Sequence, residues 1–65
     1  MKLIQIIPTY NEAQNLPILV EALFDLTISG LHVLVVDDNS PDGTGQVAEQ
    51  LSQRYSGKLS VLHRE

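Results

Sequence analysis

Asp37 and Asp38 stand side by side at the end of an apolar, β-branched run, residues 33–36, and a turn-rich segment, 39–43, follows them. A run of that kind reads as a strand, and in an open parallel sheet ligands bind outside the carboxyl ends of the strands. Consecutive acids at such a point need strong local compensation, so they read as ligand contacts. A second loop, residues 8–12, with Tyr10 and Glu12, follows the apolar run 3–7 in the same way. If the two runs are adjacent parallel strands, both groups face one crevice.

Three chemistries compete for residues 37–49. Asp38, Ser40, Asp42, Gly43 and Glu49 fall at positions one, three, five, six and twelve of an EF-hand loop. Such a loop follows a helix, however, and this one follows a strand; Pro41 and Gly45 also fit it poorly. The run Gly43-Thr44-Gly45-Gln46-Val47-Ala48 satisfies G-x-G-x-x-A, with Glu65 about twenty residues on as a ribose acid. Against that dinucleotide pattern, Asp37, Asp38 and Asp42 would repel a pyrophosphate at the helix start. The third chemistry is a nucleotide-sugar site built from both loops. A carboxylate there accepts hydrogen bonds from a base N–H or from ribose hydroxyls, the Tyr10 ring packs on a base, and Glu12 takes the ribose. Plain turn chemistry accounts for part of the same stretch: Asp42 capping the next helix, Asn39 and Ser40 closing the turn.

The elements that must position these groups follow from patterning. Residues 3–7 form a strand apolar at both parities, expected to end at Pro8, which lacks a backbone donor. Asn15 is the expected N-cap of a first helix, with Pro17 in its first turn. Leu16, Leu19, Val20, Leu23, Phe24 and Thr27 recur along one face of it. Glu21 and Asp25 take the solvated side, and Gly30 is the expected stop. Residues 31–36 make a second strand and 44–56 a second helix with Val47, Ala48, Leu51 and Tyr55 inward. Gly57 ends that helix, and 59–63 form a weaker third strand. Phe24 and Tyr55 read as core. The order β-α-β-α-β has crossovers long enough for parallel pairing. Adding each strand on the same side puts both helices on one face. The other apolar face is then bare, the pattern of the first half of a doubly wound domain.

Composition sets the outer bounds. The 65 residues carry a net charge of −4, with only Lys2, Arg54, Lys58 and Arg64 as cations. With no basic stripe, phosphate-driven nucleic-acid binding is not expected. There is no cysteine, and His32 and His63 lack ligand-like spacing, so a zinc site is not expected either. A chain this short buries only about 60% of its unfolded surface, and it has no disulfide to help. The apolar run 3–7 is too short for a signal-peptide core, and no stretch is long enough to cross a bilayer.

The segments Ile7-Pro8-Thr9-Tyr10-Asn11-Glu12, Asn15-Leu16-Pro17 and Val35-Val36-Asp37-Asp38-Asn39-Ser40-Pro41-Asp42-Gly43-Thr44 resemble the inverting family-two glycosyltransferases of GT-A fold. The Ser-Pro-Asp-Gly-Thr form, with Val61-Leu62-His63-Arg64 behind it, is most similar to the polyprenol- (dolichol-) phosphate mannosyltransferases. The resemblance implies an α/β fold, the β-α-β-α-β parallel half of a Rossmann-like GT-A nucleotide-sugar-binding domain. Residues 1–65 would be its amino-terminal, nucleotide-binding part. It also implies transfer of mannose from GDP-mannose to a polyprenyl phosphate at the cytoplasmic face of a membrane, helped by Mg²⁺ or Mn²⁺. On that pattern Pro8, Tyr10, Glu12, Val36 and Asp38 line the nucleotide site, with Asp37 beside them. The family's metal-binding Asp-x-Asp and later catalytic residues have no counterpart in 1–65, so metal ligands and acceptor contacts are expected beyond it. No catalytic residue is assigned, and the segment alone is expected to be inert. The alternatives are a non-catalytic nucleotide-binding or interaction module, or a transferase using another donor such as UDP-glucose.

Overall fold

A computed structural model describes residues 2–65. Strand β1 (Leu3–Thr9) leads to helix α1 (Leu16–Asp25), strand β2 (Leu31–Asp37), helix α2 (Thr44–Arg54) and strand β3 (Leu59–His63). The three strands form one sheet in the order β1-β2-β3. All pairing is parallel, with Leu3 opposite Leu31, Thr9 opposite Asp37, and Asp37 in turn opposite His63. The register therefore brings the ends of all three strands to one level, and Asp37 stands in the middle of that level.

Alternation along the strands sorts their side chains into two faces. Ile7, Leu31, Val33, Val35 and Leu59 pack with Leu16 and Val20 of α1 and Ala48 and Leu51 of α2 into a single core. Val20, Val33, Val35 and Ala48 are completely buried. The opposite parity carries Ile4, Ile6 and Leu62, all half or more exposed, with only Val36 buried there, so most of the second face of the sheet is open, as the patterning predicts. At the far end of the core the rings of Phe24 and Tyr55 stack at 4.5 Å. An aromatic pair of this kind contributes about 0.5–1.5 kcal/mol beyond its buried area. It ties the end of α1 to the residue that follows α2.

Four boundaries differ from the sequence expectation: β2 runs one residue further, to Asp37, α2 stops at Arg54 and not at 56, and the ends of β1 and α1 move as well. Pro8 does not end β1; it lies opposite Val36, and the strand runs on to Thr9. Leu3 N–H donates to Gly30 O, and Thr9 O accepts from Asp38 N–H, so odd-numbered residues of β1 turn their amide groups toward β2. Pro8, being even, turns its missing N–H to the open edge, where no ladder bond is lost. Helix α1 stops at Asp25, short of Gly30. Thr27 takes a left-handed φ of 50° and donates its N–H to Phe24 O, closing the helix without glycine. Gly30, at φ 78°, instead turns the chain into β2. Asn15 holds the cap position, but its side chain bonds Glu12 Oε2 at 3.2 Å and leaves the helix amides alone.

Candidate functional site

The loops after β1 and β2 are locked together by side chains. Three consecutive amides of the first loop each donate to a side chain of the second: Asn11 N–H to Ser40 Oγ at 3.0 Å, Glu12 N–H to Thr44 Oγ1 at 2.9 Å, and Ala13 N–H to Asp42 Oδ2 at 3.2 Å. Ser40 and Asp42 lie in the turn and Thr44 opens α2, so the clamp joins the first loop to both. Asn11 and Asn39 sit at left-handed φ values of 57° and 56°, a conformation that asparagine tolerates better than most residues. The sequence carries no local signal for this clamp, since turn and cap chemistry already accounts for Ser40 and Asp42.

The two adjacent acids part company. Asp37 is 3% exposed and points into the helix layer. Its Oδ1 accepts from Ser40 Oγ at 2.6 Å and Thr9 Oγ1 at 3.3 Å, and its Oδ2 from Ser40 N–H at 3.3 Å. Asp38 is exposed and faces the Arg64 guanidinium, Nε to Oδ1 at 3.2 Å. Pro8 and Val36 are register partners on the bare face of the sheet, Tyr10 is exposed beyond β1, and Glu12 is half-buried beneath the loop clamp. Pro8, Tyr10, Glu12, Val36 and Asp38, the residues expected to line the crevice, thus all lie at or just beyond the carboxyl ends of β1 and β2, with Val36 buried and Asp37 turned toward the helices.

The comparisons with known proteins speak to the same residues. The family model described as "Glycosyl transferase family 2" matches residues 5–65. The chain belongs to that family. It is 48% identical over 59 residues to the polyprenol monophosphomannose synthase of Mycolicibacterium smegmatis, covering 91% of this chain and 22% of that protein. It is 45% identical over 64 residues to the undecaprenyl-phosphate mannosyltransferase of Micrococcus luteus, covering 98% of this chain and 26% of the relative. The dolichol-phosphate mannosyltransferase of Pyrococcus furiosus is 46% identical over 61 residues, 91% of this chain and 17% of its own. The chain therefore spans about a quarter or less of the length of these curated relatives. No solved structure matches it. Within glycosyltransferase family 2, the architecture above is the three-stranded parallel part of a Rossmann-like domain.

The other chemistries fail on geometry. Each oxygen-bearing side chain of the EF-hand pattern is engaged by a different partner: Asp38 by Arg64, Ser40 by Asp37, Asp42 by Thr44, and Glu49 by His63 at 2.6 Å. Among the described residues no three His, Asp or Glu side chains converge on a point that could hold a metal ion. A divalent cation therefore finds no fit within this part of the domain. The helix α2 amino end, where a pyrophosphate would sit, is occupied by Asp42, which accepts from Thr44 N–H at 3.1 Å and from the Thr44 hydroxyl. The Thr44 hydroxyl foremost, against desolvation as the next-largest effect and with help from the Ala13 and Thr44 amides, lowers the Asp42 carboxyl from its ordinary value. A carboxylate fixed there repels a second anion.

Gly45 of the G-x-G-x-x-A match has another use. A Cβ added at Gly45 would lie 3.0 Å from Asp37 Oδ2 and 3.3 Å from the His63 ring, so glycine lets α2 approach the strand ends. Asp37 is pinned by its donors and cannot give way freely. Gly45→Ala is therefore expected to lose about 1 kcal/mol net, overpacking of roughly 1–3 kcal/mol outweighing a helix-propensity gain near 1 kcal/mol. Equilibrium urea unfolding measures it, and a stabilised variant would show that the Asp37 contact yields.

A cavity of about 780 Å³ opens at the other end of the sheet, lined by Lys2, Phe24, His32, Tyr55 and Lys58 among others. None of the crevice residues borders it. A shallower hollow of about 420 Å³ lies between the β2–α2 turn and His63 and touches the crevice only through Asp37. The carboxylates lie instead on the loops at the carboxyl ends of the parallel strands, where ligands bind in open α/β sheets.

Proposed function

We propose that the chain forms the nucleotide-holding part of a transferase that moves mannose from GDP-mannose to a polyprenyl phosphate. The observation that carries this reading is the pair of loops interlocked at the carboxyl ends of β1 and β2, and on it we assign Pro8, Tyr10, Glu12, Val36 and Asp38 to the nucleotide site. The relatives' names supply the sugar and the acceptor class. Asp38 accepts hydrogen bonds from the base, Tyr10 packs against it, Glu12 accepts from the ribose, and Pro8 and Val36 form the apolar wall. Asp37 shapes the second loop from beneath. In the reaction an acceptor phosphate oxygen bonds to the anomeric carbon as the bond from that carbon to the GDP diphosphate oxygen breaks, with inversion.

Mg²⁺ or Mn²⁺ belongs to this reading with ligands outside residues 1–65, as do the acceptor contacts. No helix among the described residues is long and apolar enough to cross a membrane. Contact with the cytoplasmic face of a membrane is accordingly assigned to the intact protein. The test is titration of GDP and UDP, and of their mannose and glucose conjugates, into the intact protein, followed by transfer to polyprenyl phosphate. Preference for GDP-mannose with product formation is the expected result. A UDP-glucose preference would replace the donor, and nucleotide binding without transfer would leave a non-catalytic module.

A further inference from the structure

The carboxyl end of the sheet is crowded with acids, and Arg64 is the cation that meets them. Lys2 and Lys58 line the cavity at the opposite end, and Arg54 lies over the Tyr55 ring at 5.4 Å. Arg64 N–H donates to Asp37 O at 2.7 Å, carrying the β2–β3 ladder one residue past β3 and fixing the backbone from which the side chain leaves. Arg64 follows Leu62 by two residues as Asp38 follows Val36, and Leu62 and Val36 are register partners. The guanidinium meets Asp38 through Nε and Oδ1 only, with the side chains 63% and 46% exposed. An exposed pair of this kind contributes little to folding. Its remaining donors and the second carboxylate oxygen stay open to solvent.

We propose that Asp38 and Arg64 act together as the reader of the nucleotide base, with Arg64 the residue that selects a lactam edge. The inference rests on the nucleotide reading above. A carboxylate beside a guanidinium presents an acceptor next to donors. Its complement is a ring N–H next to a ring carbonyl. Guanine offers N1–H and its 2-amino group to Asp38 and O6 to Arg64. Uracil offers N3–H and O4 but has no amino group for the second carboxylate oxygen. Adenine in the same pose sets its 6-amino group against the guanidinium and bare N1 against the carboxylate, so like meets like at both points. Leaving buried polar groups mismatched is what makes such rejection strong. Arg64 in this role touches the base and leaves the phosphates alone.

The experiment measures dissociation constants of GDP, ADP and ribose 5-diphosphate for the intact protein and its Arg64→Ala and Arg64→Lys variants. Arg64→Ala is expected to weaken GDP about tenfold and to shrink the GDP-over-ADP preference by a similar factor, since one good base contact is worth roughly that much. Ribose 5-diphosphate, which has no base, should bind both proteins equally, and Arg64→Lys should restore only part of the loss because a point charge lacks the planar fork. Equal losses for GDP and ribose 5-diphosphate would make Arg64 a phosphate contact and overturn the proposal. So would unchanged binding of all three. Wild-type protein that binds no nucleoside diphosphate would overturn the nucleotide reading itself, and the proposal with it.

Discussion

Asp37→Ala is expected to cost about 3 kcal/mol of folding stability and to lower nucleotide affinity with it. The carboxylate is enclosed, yet among the described residues it makes no ion pair; its charge is held by two hydroxyls and one amide, from Thr9 and Ser40. Truncation leaves these donors without a partner in a place that water reaches poorly. An orphaned buried donor costs about 1–3 kcal/mol, so three partly sheltered ones reach the figure above. Ser40 also accepts from Asn11 N–H, so the loss spreads to the first loop. Asp37→Asn keeps the Oδ1 acceptor but turns an amide N–H₂ toward Ser40 N–H, and about half the loss is expected. Urea unfolding of the three proteins tests the order. Equal stability of wild type and Asp37→Ala would mean that the loop is held by the clamp alone.

That graded expectation depends on a distinction partly legible in the sequence. Side chains alternate along a strand, so consecutive acids at its end must leave on opposite sides. Residues 33–36 announce the strand, and alternation carried one residue further separates Asp37 from Asp38. What patterning does not supply is which of them faces the helices. That follows from the core, where Val33 and Val35 are completely buried and share parity with Asp37. The bare face was legible because Ile4, Ile6 and Leu62 are apolar at positions the helices cannot reach. The end of α1 was not legible. Gly30 was the stronger stop signal by conformational preference, but Thr27 took the left-handed turn first.

The loop clamp marks the limit of local reasoning. Asn39, Ser40 and Asp42 have the composition of a turn, and turn closure accounts for their types without any partner. Their acceptors in fact serve amides 29 residues away in the chain for Ser40 and Asp42. Only the parallel register, with Thr9 opposite Asp37, brings the two loops within reach. Pro8 shows the same dependence on tertiary context. A missing donor ends a strand when its amide faces a neighbour, and β1 turns it outward. The family resemblance supplied the expected site residues; the hydrogen bonds show that of these Asp37 is engaged in holding the second loop.

Asp38→Asn should reduce GDP affinity about a hundredfold while leaving stability unchanged. Asp38 is exposed, and its contact with Arg64 is a surface pair, so the fold has little to lose. The ligand has much more. A carboxylate accepting from guanine N1–H and the 2-amino group makes two charge-assisted bonds of about 1.5–3 kcal/mol each. Asparagine keeps the Oδ1 acceptor beside Arg64 and sets an N–H₂ against the 2-amino group, so a loss near 3 kcal/mol, about a hundredfold, follows. The base itself supplies the control. Inosine diphosphate lacks the 2-amino group and should bind the wild type about tenfold more weakly than GDP. For Asp38→Asn that preference should disappear, because the oxygen that read the amino group is gone. Calorimetric titration of GDP and inosine diphosphate into both proteins measures the four constants. If Asp38→Asn weakened both nucleotides yet kept the tenfold preference, the amino group would be read by another residue, and Asp38 would contact the ribose instead.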